Sequence, residues 1–250
     1  MNLLFSLFYW LLISLQAIVL FVGAVVLWMV TAPFDPTRAV LHRYTCWWGV
    51  LYLRCMPGCR LTIEGREKIQ PGTAYVLVSN HQSIADIMAL SLLAVPFKWV
   101  SKKEVFRMPV VGWNMALNGY VNVDRGNLRT VAKTMDVCRN WLGRGVPLMM
   151  FPEGHRSPDG EMQEFHGGAF KLAVQAQCGV VPIVVDGTHG IFRGIRVTPP
   201  KRIIVRVLEP VSLGEAGGSA LRLRDVVAER MRQTLGDLRK RPAAPHTLLA

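Results

Sequence analysis

No charged side chain occurs before Asp35. That absence excludes a solvated N-terminal region, and it removes the Lys/Arg-rich start that a secretory signal peptide needs. The apolar run also exceeds an ordinary signal core, and Pro33 directly follows the small pair Thr31-Ala32. A stretch of this length can cross about 30 Å of hydrocarbon, even when tilted. Trp10 and Trp28 would lie about 27 Å apart along a helix, a spacing suited to aromatic anchors at an interface. A retained membrane segment is the expectation.

Cysteine is sparse and acids are few. The five cysteines are an odd number without framework spacing, and Cys55-Met-Pro-Gly-Cys59 matches neither zinc nor redox patterns. Reduced thiols in a cytoplasmic domain are expected. Only 17 acids face 29 Lys and Arg, for a formal net charge of +12. No zinc-ligand spacing, RNA-binding aromatic motif or basic recognition helix accompanies that charge, which argues against nucleic acid. Anionic lipid is the simpler partner for a basic chain with an apolar N-terminal segment. Internal repeats and low-complexity linkers are absent as well.

The flank after the apolar run is basic, with Arg38, His42, Arg43, Arg54 and Arg60. By the positive-inside rule this flank, and the domain behind it, belong on the cytoplasmic side of the inner membrane. Between these residues Tyr44, Trp47, Trp48, Leu51, Tyr52 and Leu53 form an apolar, aromatic stretch too short to span. An interfacial or re-entrant helix making a hairpin with the first is expected. Further basic residues gather at Arg193, Arg196, Lys201, Arg202 and Arg206, and again from Arg222 to Arg241.

Beyond Arg60 short β-rich runs alternate with helical ones. Strands are expected at 61–64, 73–79, 97–101, 120–123, 147–151, 180–185 and 203–208, and helices at 84–94, 110–117, 128–142, 169–177 and 220–238. Val131, Met135, Cys138 and Leu142 share one helix face and read as core. Strands apolar throughout imply a sheet covered on both faces. The fold class is α/β, with a largely parallel or mixed sheet flanked by helices. Three segments result: a membrane-anchoring helical segment over 1–58, a catalytic domain over 59–241, and a tail at 242–250 expected to lack structure.

The most informative segment is Asn80-His81-Gln82-Ser83-Ile84-Ala85-Asp86, directly after the strand ending at Ser79. Histidine takes a proton near neutral pH, and a carboxylate can hold its ring. On one continuous helix these two side chains would diverge by about 140°. They meet only if His81 sits in a turn and Asp86 in the first turn of the next helix. Ser83-x-x-Asp86 also fits a helix capping box, and the two readings are compatible. Three more segments place polar residues at strand ends. Gly119 to Arg125 carries Asp124-Arg125, and Phe151-Pro-Glu-Gly-His-Arg-Ser157 follows a strand. Val181-Pro182-Ile183 puts a proline in an apolar strand, which suggests an edge, a bulge or a strand start.

In this order the segments resemble the 1-acylglycerol-3-phosphate acyltransferase family of the glycerolipid acyltransferases. The matching blocks are His-x4-Asp (His81, Asp86), Gly-x4-Asp-Arg (Gly119, Asp124, Arg125), Phe-Pro-Glu-Gly-x-Arg-Ser (151–157) and Val-Pro-Ile (181–183). Gly168-Ala-Phe-Lys171, opening a helix, adds a fifth likeness, and the resemblance covers roughly residues 40–210. His155 stands where the family usually has threonine, and Asn122 where a large apolar residue is common.

The resemblance implies transfer of an acyl group from acyl carrier protein or coenzyme A thioester to lysophosphatidate. Another lysolipid, such as a lyso-ornithine lipid or glycerol 3-phosphate, is the alternative acceptor, and a non-catalytic anionic-lipid binder the alternative class. It implies His81 as general base and Asp86 as its partner. Arg125 and Arg156 would bind phosphate, with Lys102 or Lys103 assisting. Glu153 would meet acceptor hydroxyls or orient an arginine, and amides near Gly154 or Gly168 would face the oxyanion. Neither a metal nor a cofactor beyond the thioester co-substrate is implied.

Overall fold

The computed structural model describes residues 3–124, 126 and 128–240; Arg125 and the tail expected at 242–250 lie outside them. The chain opens with α1 (Leu3–Thr31) and α2 (Ala39–Arg54). It continues through β1 (Arg60–Glu64), β2 (Tyr75–Ser79), α3 (Ala85–Leu90), β3 (Lys98–Lys102), α4 (Val111–Leu117) and β4 (Val121–Val123). Then come α5 (Leu128–Gly143), β5 (Leu148–Met150), α6 (Gly168–Gln175) and β6 (Gly179–Asp186). The last elements are β7 (Phe192–Arg193), β8 (Arg196–Val197), β9 (Arg202–Val207) and α7 (Ala220–Lys240).

Seven strands form one sheet in the order β1-β9-β6-β2-β5-β3-β4. Neighbours pair in parallel except β6 and β9, which run antiparallel. Period-2 alternation divides the core. Leu77, Val181, Ile183 and Val185 point to the layer that holds Leu53, Ala85, Leu90 and Phe97. Val76, Val78, Val180 and Val184 point to the opposite layer, with Cys138, Phe170, Leu172, Met231 and Leu238. Both faces are covered, as the apolar strands require. The expected elements all form; the additional β7–β8 ribbon is too short to carry a periodic signal.

Of the alternatives for Pro182 the edge does not hold, because it lies inside β6, third of seven strands. Its ring nitrogen faces the same side as the Val180 N–H, which donates to Val211 O at 3.0 Å. On that side the regular pairing with β9 begins only at Ile183, so the missing donor falls where the ladder is already irregular.

The first two helices form the expected hairpin. Tyr52 Oη donates to Ile13 O at 3.2 Å and Tyr44 Oη to Leu20 O at 3.0 Å, so the helices run antiparallel. Asp35 closes the turn by accepting from the amides of Ala39 at 2.9 Å and Val40 at 2.8 Å. Among the described residues α1 is the one helix long and apolar enough to cross a membrane, with mean hydropathy 2.5. Its stripe of Ser6, Tyr9, Ile13 and Ala24 is buried, while Leu4 is 77% and Val19 69% exposed.

A buried polar cluster fastens this hairpin to the sheet. Lys98, 1% exposed, donates through Nζ to Thr37 O at 2.7 Å and Asn118 O at 2.6 Å. It stands 4.8 Å from the centroid of the Trp141 ring. Burial, with the Arg38 charge nearby, pushes the Lys98 ammonium down to about 7. Two residues of the basic flank make bonds nearby. Arg38 donates to the Ala116 carbonyl at the end of α4 at 2.9 Å, and His42 is buried between Tyr120 Oη and Val95 O.

Replacing Lys98 with methionine keeps the apolar stem but strips two carbonyls of their donor. A loss of about 2 kcal/mol in stability is expected, read as a lower denaturant midpoint in detergent. An unchanged midpoint would show that the cluster does not fasten the hairpin.

Candidate active site

At its C-terminal end β2 hands over to the loop carrying His81. Asn80 continues the ladder with its side chain: Nδ2 donates to Val185 O and Oδ1 accepts from Val185 N, both at 2.8 Å. The backbone then turns, and α3 begins at Ala85. Asp86 falls in the first turn of α3 and is fully buried. Its Oδ2 accepts from His81 Nδ1 at 2.8 Å and from the amides of Gln82 at 2.6 Å and Ser83 at 2.8 Å. Its Oδ1 accepts from Thr188 Oγ1. The turn-then-helix placement is the one in which His81 and Asp86 can meet. The capping reading holds too: Ser83 Oγ accepts from Ala85 N at 3.2 Å while Asp86 reaches back to the Ser83 amide.

A carboxylate only accepts, so the proton shared with Asp86 sits on His81 Nδ1, and Nε2 carries the free lone pair. The imidazole lies flat on Phe151, with centroids 3.9 Å apart and planes inclined by 10°. Trp99 backs Phe151 at 5.4 Å. The ring keeps 14% of its surface exposed, and Nε2 has no hydrogen-bond partner among the described residues. It is an oriented base with one open nitrogen.

The loop after β5 holds the His81 backbone on both sides. His81 N donates to Glu153 Oε1 at 2.9 Å, and His81 O accepts from Ser157 N at 2.8 Å. Glu153 Oε2 accepts from Gln163 N at 3.2 Å. With 1% exposure and both oxygens bonded to backbone amides, Glu153 braces two loops and has no edge turned toward a ligand's hydroxyls. Gly154, at φ 75°, takes the left-handed turn that glycine favours. Its amide donates to Phe151 O at 3.1 Å, so it closes the turn.

The expected cations stand along the same end of the sheet. His81 follows β2, Arg156 follows β5, Lys102 ends β3, and Asp124 follows β4. These strands are successive neighbours, and three strand spacings come to about 14 Å. Lys102 and Arg156 are exposed and have no side-chain partner among the described residues. Lys103 Nζ pairs with Asp124 Oδ2 at 3.1 Å, and this bond lowers the Asp124 carboxyl. The site expected at Arg125 lies outside the described residues. Thr188, Phe151 and Trp99 belong to the constellation, although their residue types alone do not mark them as site residues. Thr188 comes after an apolar strand, as His81 does, and that position was the available signal.

Burial, reinforced by the nearby Asp86 charge, pushes the Glu153 carboxyl up to about 7 from 4.5, against two amide donors that lower it. Folding therefore takes up a proton between those values. The Glu153 contribution to stability is largest below about 4.5, falls as pH rises to about 7, and is flat above. Glu153→Gln removes that titration. Relative to the native chain its unfolding free energy should rise from pH 4.5 to 7, and a pH-independent difference in urea titrations would contradict this.

The Acyltransferase family model matches residues 60–186. The chain is 39% identical over 180 residues to a 1-acyl-sn-glycerol-3-phosphate acyltransferase of Chlamydomonas reinhardtii, covering 71% of this chain and 54% of that protein. It is 34% identical over 204 residues to a chloroplastic enzyme of the same name from Arabidopsis thaliana, covering 79% and 56%. A Pseudomonas aeruginosa protein of that name is 35% identical over 160 residues, covering 61% and 60%. The chain thus spans a little over half the length of these curated relatives. Among solved structures, the 1-acyl-sn-glycerophosphate acyltransferase PlsC from Thermotoga maritima superposes with a TM-score of 0.79. The match covers 97% of this chain and 98% of that one at 23% identity, and it shows a common fold.

Proposed function

This chain belongs to the Acyltransferase family, and from that premise we propose that it moves a fatty acyl group from an acyl thioester to the sn-2 hydroxyl of 1-acylglycerol 3-phosphate, giving phosphatidate. The donor is acyl carrier protein or coenzyme A thioester, and the enzyme works at a membrane surface. One observation carries the reading: an imidazole with Nδ1 tied to a buried, fully engaged carboxylate and Nε2 left open. That arrangement suits a general base whose nucleophile arrives with the substrate.

In the proposed reaction the acceptor hydroxyl attacks the thioester carbonyl while its proton passes to His81 Nε2. A carbon–oxygen bond forms and a tetrahedral oxyanion results. Collapse breaks the carbon–sulfur bond, and the imidazolium returns its proton to the departing thiolate. Asp86 keeps the ring in the Nδ1–H tautomer and faces the charge that the ring gains. Arg156 and Lys102, exposed and without side-chain partners among the described residues, serve the phosphate, together with Arg125. Glu153 acts as a positioning residue through the His81 amide.

The placement of α1 supports a chain that rests on one face of a bilayer. The hydrogen bond that Val197 N donates to Ser6 Oγ and the ring contact between Phe21 and Trp113 fix about 22 Å of the helix against the domain. A helix standing across the membrane would draw that polar domain into hydrocarbon. Lying along the interface, it buries its exposed apolar side in lipid. The basic flank is consistent with the cytoplasmic face of the inner membrane.

His81→Ala, with folding intact, should lower kcat by about 10²–10⁴. Transfer assays with both thioester donors across lysophosphatidate, glycerol 3-phosphate and lyso-ornithine lipid test the base and the acceptor together. Near-native turnover in that variant would remove His81 from the chemistry, and a better response to another acceptor would replace lysophosphatidate. Thr188→Val should lower kcat about tenfold through the carboxylate it no longer holds, with KM nearly unchanged. Thr188→Ser should restore the rate, and equal rates for all three chains would leave Thr188 without a part in orienting Asp86.

A further inference from the structure

Seven residues after Thr188 the chain reaches an exposed point. β7 and β8 form a two-stranded antiparallel ribbon in which Arg193 pairs with Arg196. Gly194 and Ile195 make its tip, Gly194 with φ 59°. Ile195 is 62% exposed, and both arginines are exposed. Neither arginine makes a side-chain hydrogen bond or ion pair among the described residues. Arg206, Arg230 and Arg239, by contrast, are paired with Glu64, Glu215 and Glu161. A branched apolar residue held outward between two unspent guanidinium groups has no role in packing the domain.

The ribbon is tied to the start of α1. Trp10 Nε1 donates to the Ile195 carbonyl at 2.9 Å, and Ser6 Oγ accepts from Val197 N at 3.0 Å. Phe192 packs on Trp10 at 5.4 Å and Tyr9 at 6.3 Å between centroids. On the same stretch of helix Leu3, Leu4, Leu7, Phe8 and Leu11 are exposed. The apolar surface of α1 therefore continues onto the tip of the ribbon, and the cations stand at its border.

We propose that the β7–β8 ribbon is a second membrane contact, in which Ile195 enters the acyl region of an anionic bilayer and Arg193 and Arg196 take lipid phosphates. The inference rests on the reading of α1 as a lipid-facing helix and adds a contact of different chemistry. An apolar tip flanked by cations matches both layers of such a surface: hydrocarbon burial for the isoleucine and charge-assisted bonds to phosphate for the arginines. Because the ribbon comes directly after Thr188, it sets the end of the sheet that carries His81 against the lipid.

The test uses the full chain with Cys55→Ser and Cys59→Ser, the remaining cysteines being buried. Ile195→Cys, or Leu7→Cys on the outer side of α1, carries an environment-sensitive fluorophore. Phosphatidylcholine vesicles with phosphatidylglycerol should shift both emissions to the blue, and a lipid-borne quencher should quench both. A response at position 7 without one at 195 overturns the ribbon contact and leaves the α1 reading standing. Silence at both positions overturns both. Arg193→Gln with Arg196→Gln should raise the apparent KM on these anionic vesicles about tenfold and leave transfer in neutral detergent micelles unchanged. An unaltered vesicle response in that double variant overturns the arginine–phosphate contact.

Discussion

Asp86 is fully buried, and a buried carboxylate survives only where protein donors replace solvent. Its donors come from two loops. The loop after β2 supplies His81, Gln82 and Ser83, and the loop after β6 supplies Thr188. Those loops meet because β2 and β6 are neighbours in fixed register, Ser79 beside Ile183, and because Asn80 spans the last step to Val185. A slip of one residue between these strands would send every side chain to the opposite face and leave the carboxylate unsatisfied. Sheet register, carboxylate and imidazole orientation are thus one constraint seen at three scales.

The loop after β5 is drawn into the same constraint. It binds the His81 backbone through Glu153 and Ser157 and lays Phe151 on the ring. The ring is thereby fixed from below by its carboxylate, from the side by stacking, and along its backbone by two hydrogen bonds. Its remaining freedom is at Nε2, where chemistry is proposed. Preorganisation of this kind removes the entropy that an unrestrained side chain would lose on reaching a reactive pose.

How much the chain discloses unaided depends on range. Strands covered on both faces announce themselves as apolar runs, and the five-residue spacing of His81 and Asp86 admits a contact only across a turn-to-helix junction. Both are local patterns. Thr188 meets Asp86 across 102 positions, and Phe151 reaches His81 from the loop after β5, so neither contact leaves a periodic trace. Pro182 leaves an edge, a bulge and a strand start open, because its missing donor is a local fact while the irregular β9 pairing that accommodates it is not. Net charge is equally silent on individual partners: within the basic flank Arg38 caps the carbonyl end of α4 and His42 lies in the interior.

The bonds these two residues make to the domain bear on how membrane and site are joined. Arg38, Lys98 and Asn118 link the turn of the hairpin to the far half of the sheet, while Trp10 and Ser6 link its N-terminal end to the ribbon beyond Thr188. The hairpin is therefore held at both ends by elements that also position the site. On the proposed reading, a lipid acceptor lying in the bilayer presents its glycerol hydroxyl at a height set by this frame. Its phosphate meets Lys102 at the end of β3 and Arg156 in the loop after β5, and its acyl chain stays in hydrocarbon. Since Nε2 must come within about 3 Å of that hydroxyl, the bonds that seat α1 on the domain are part of substrate alignment as well as of stability.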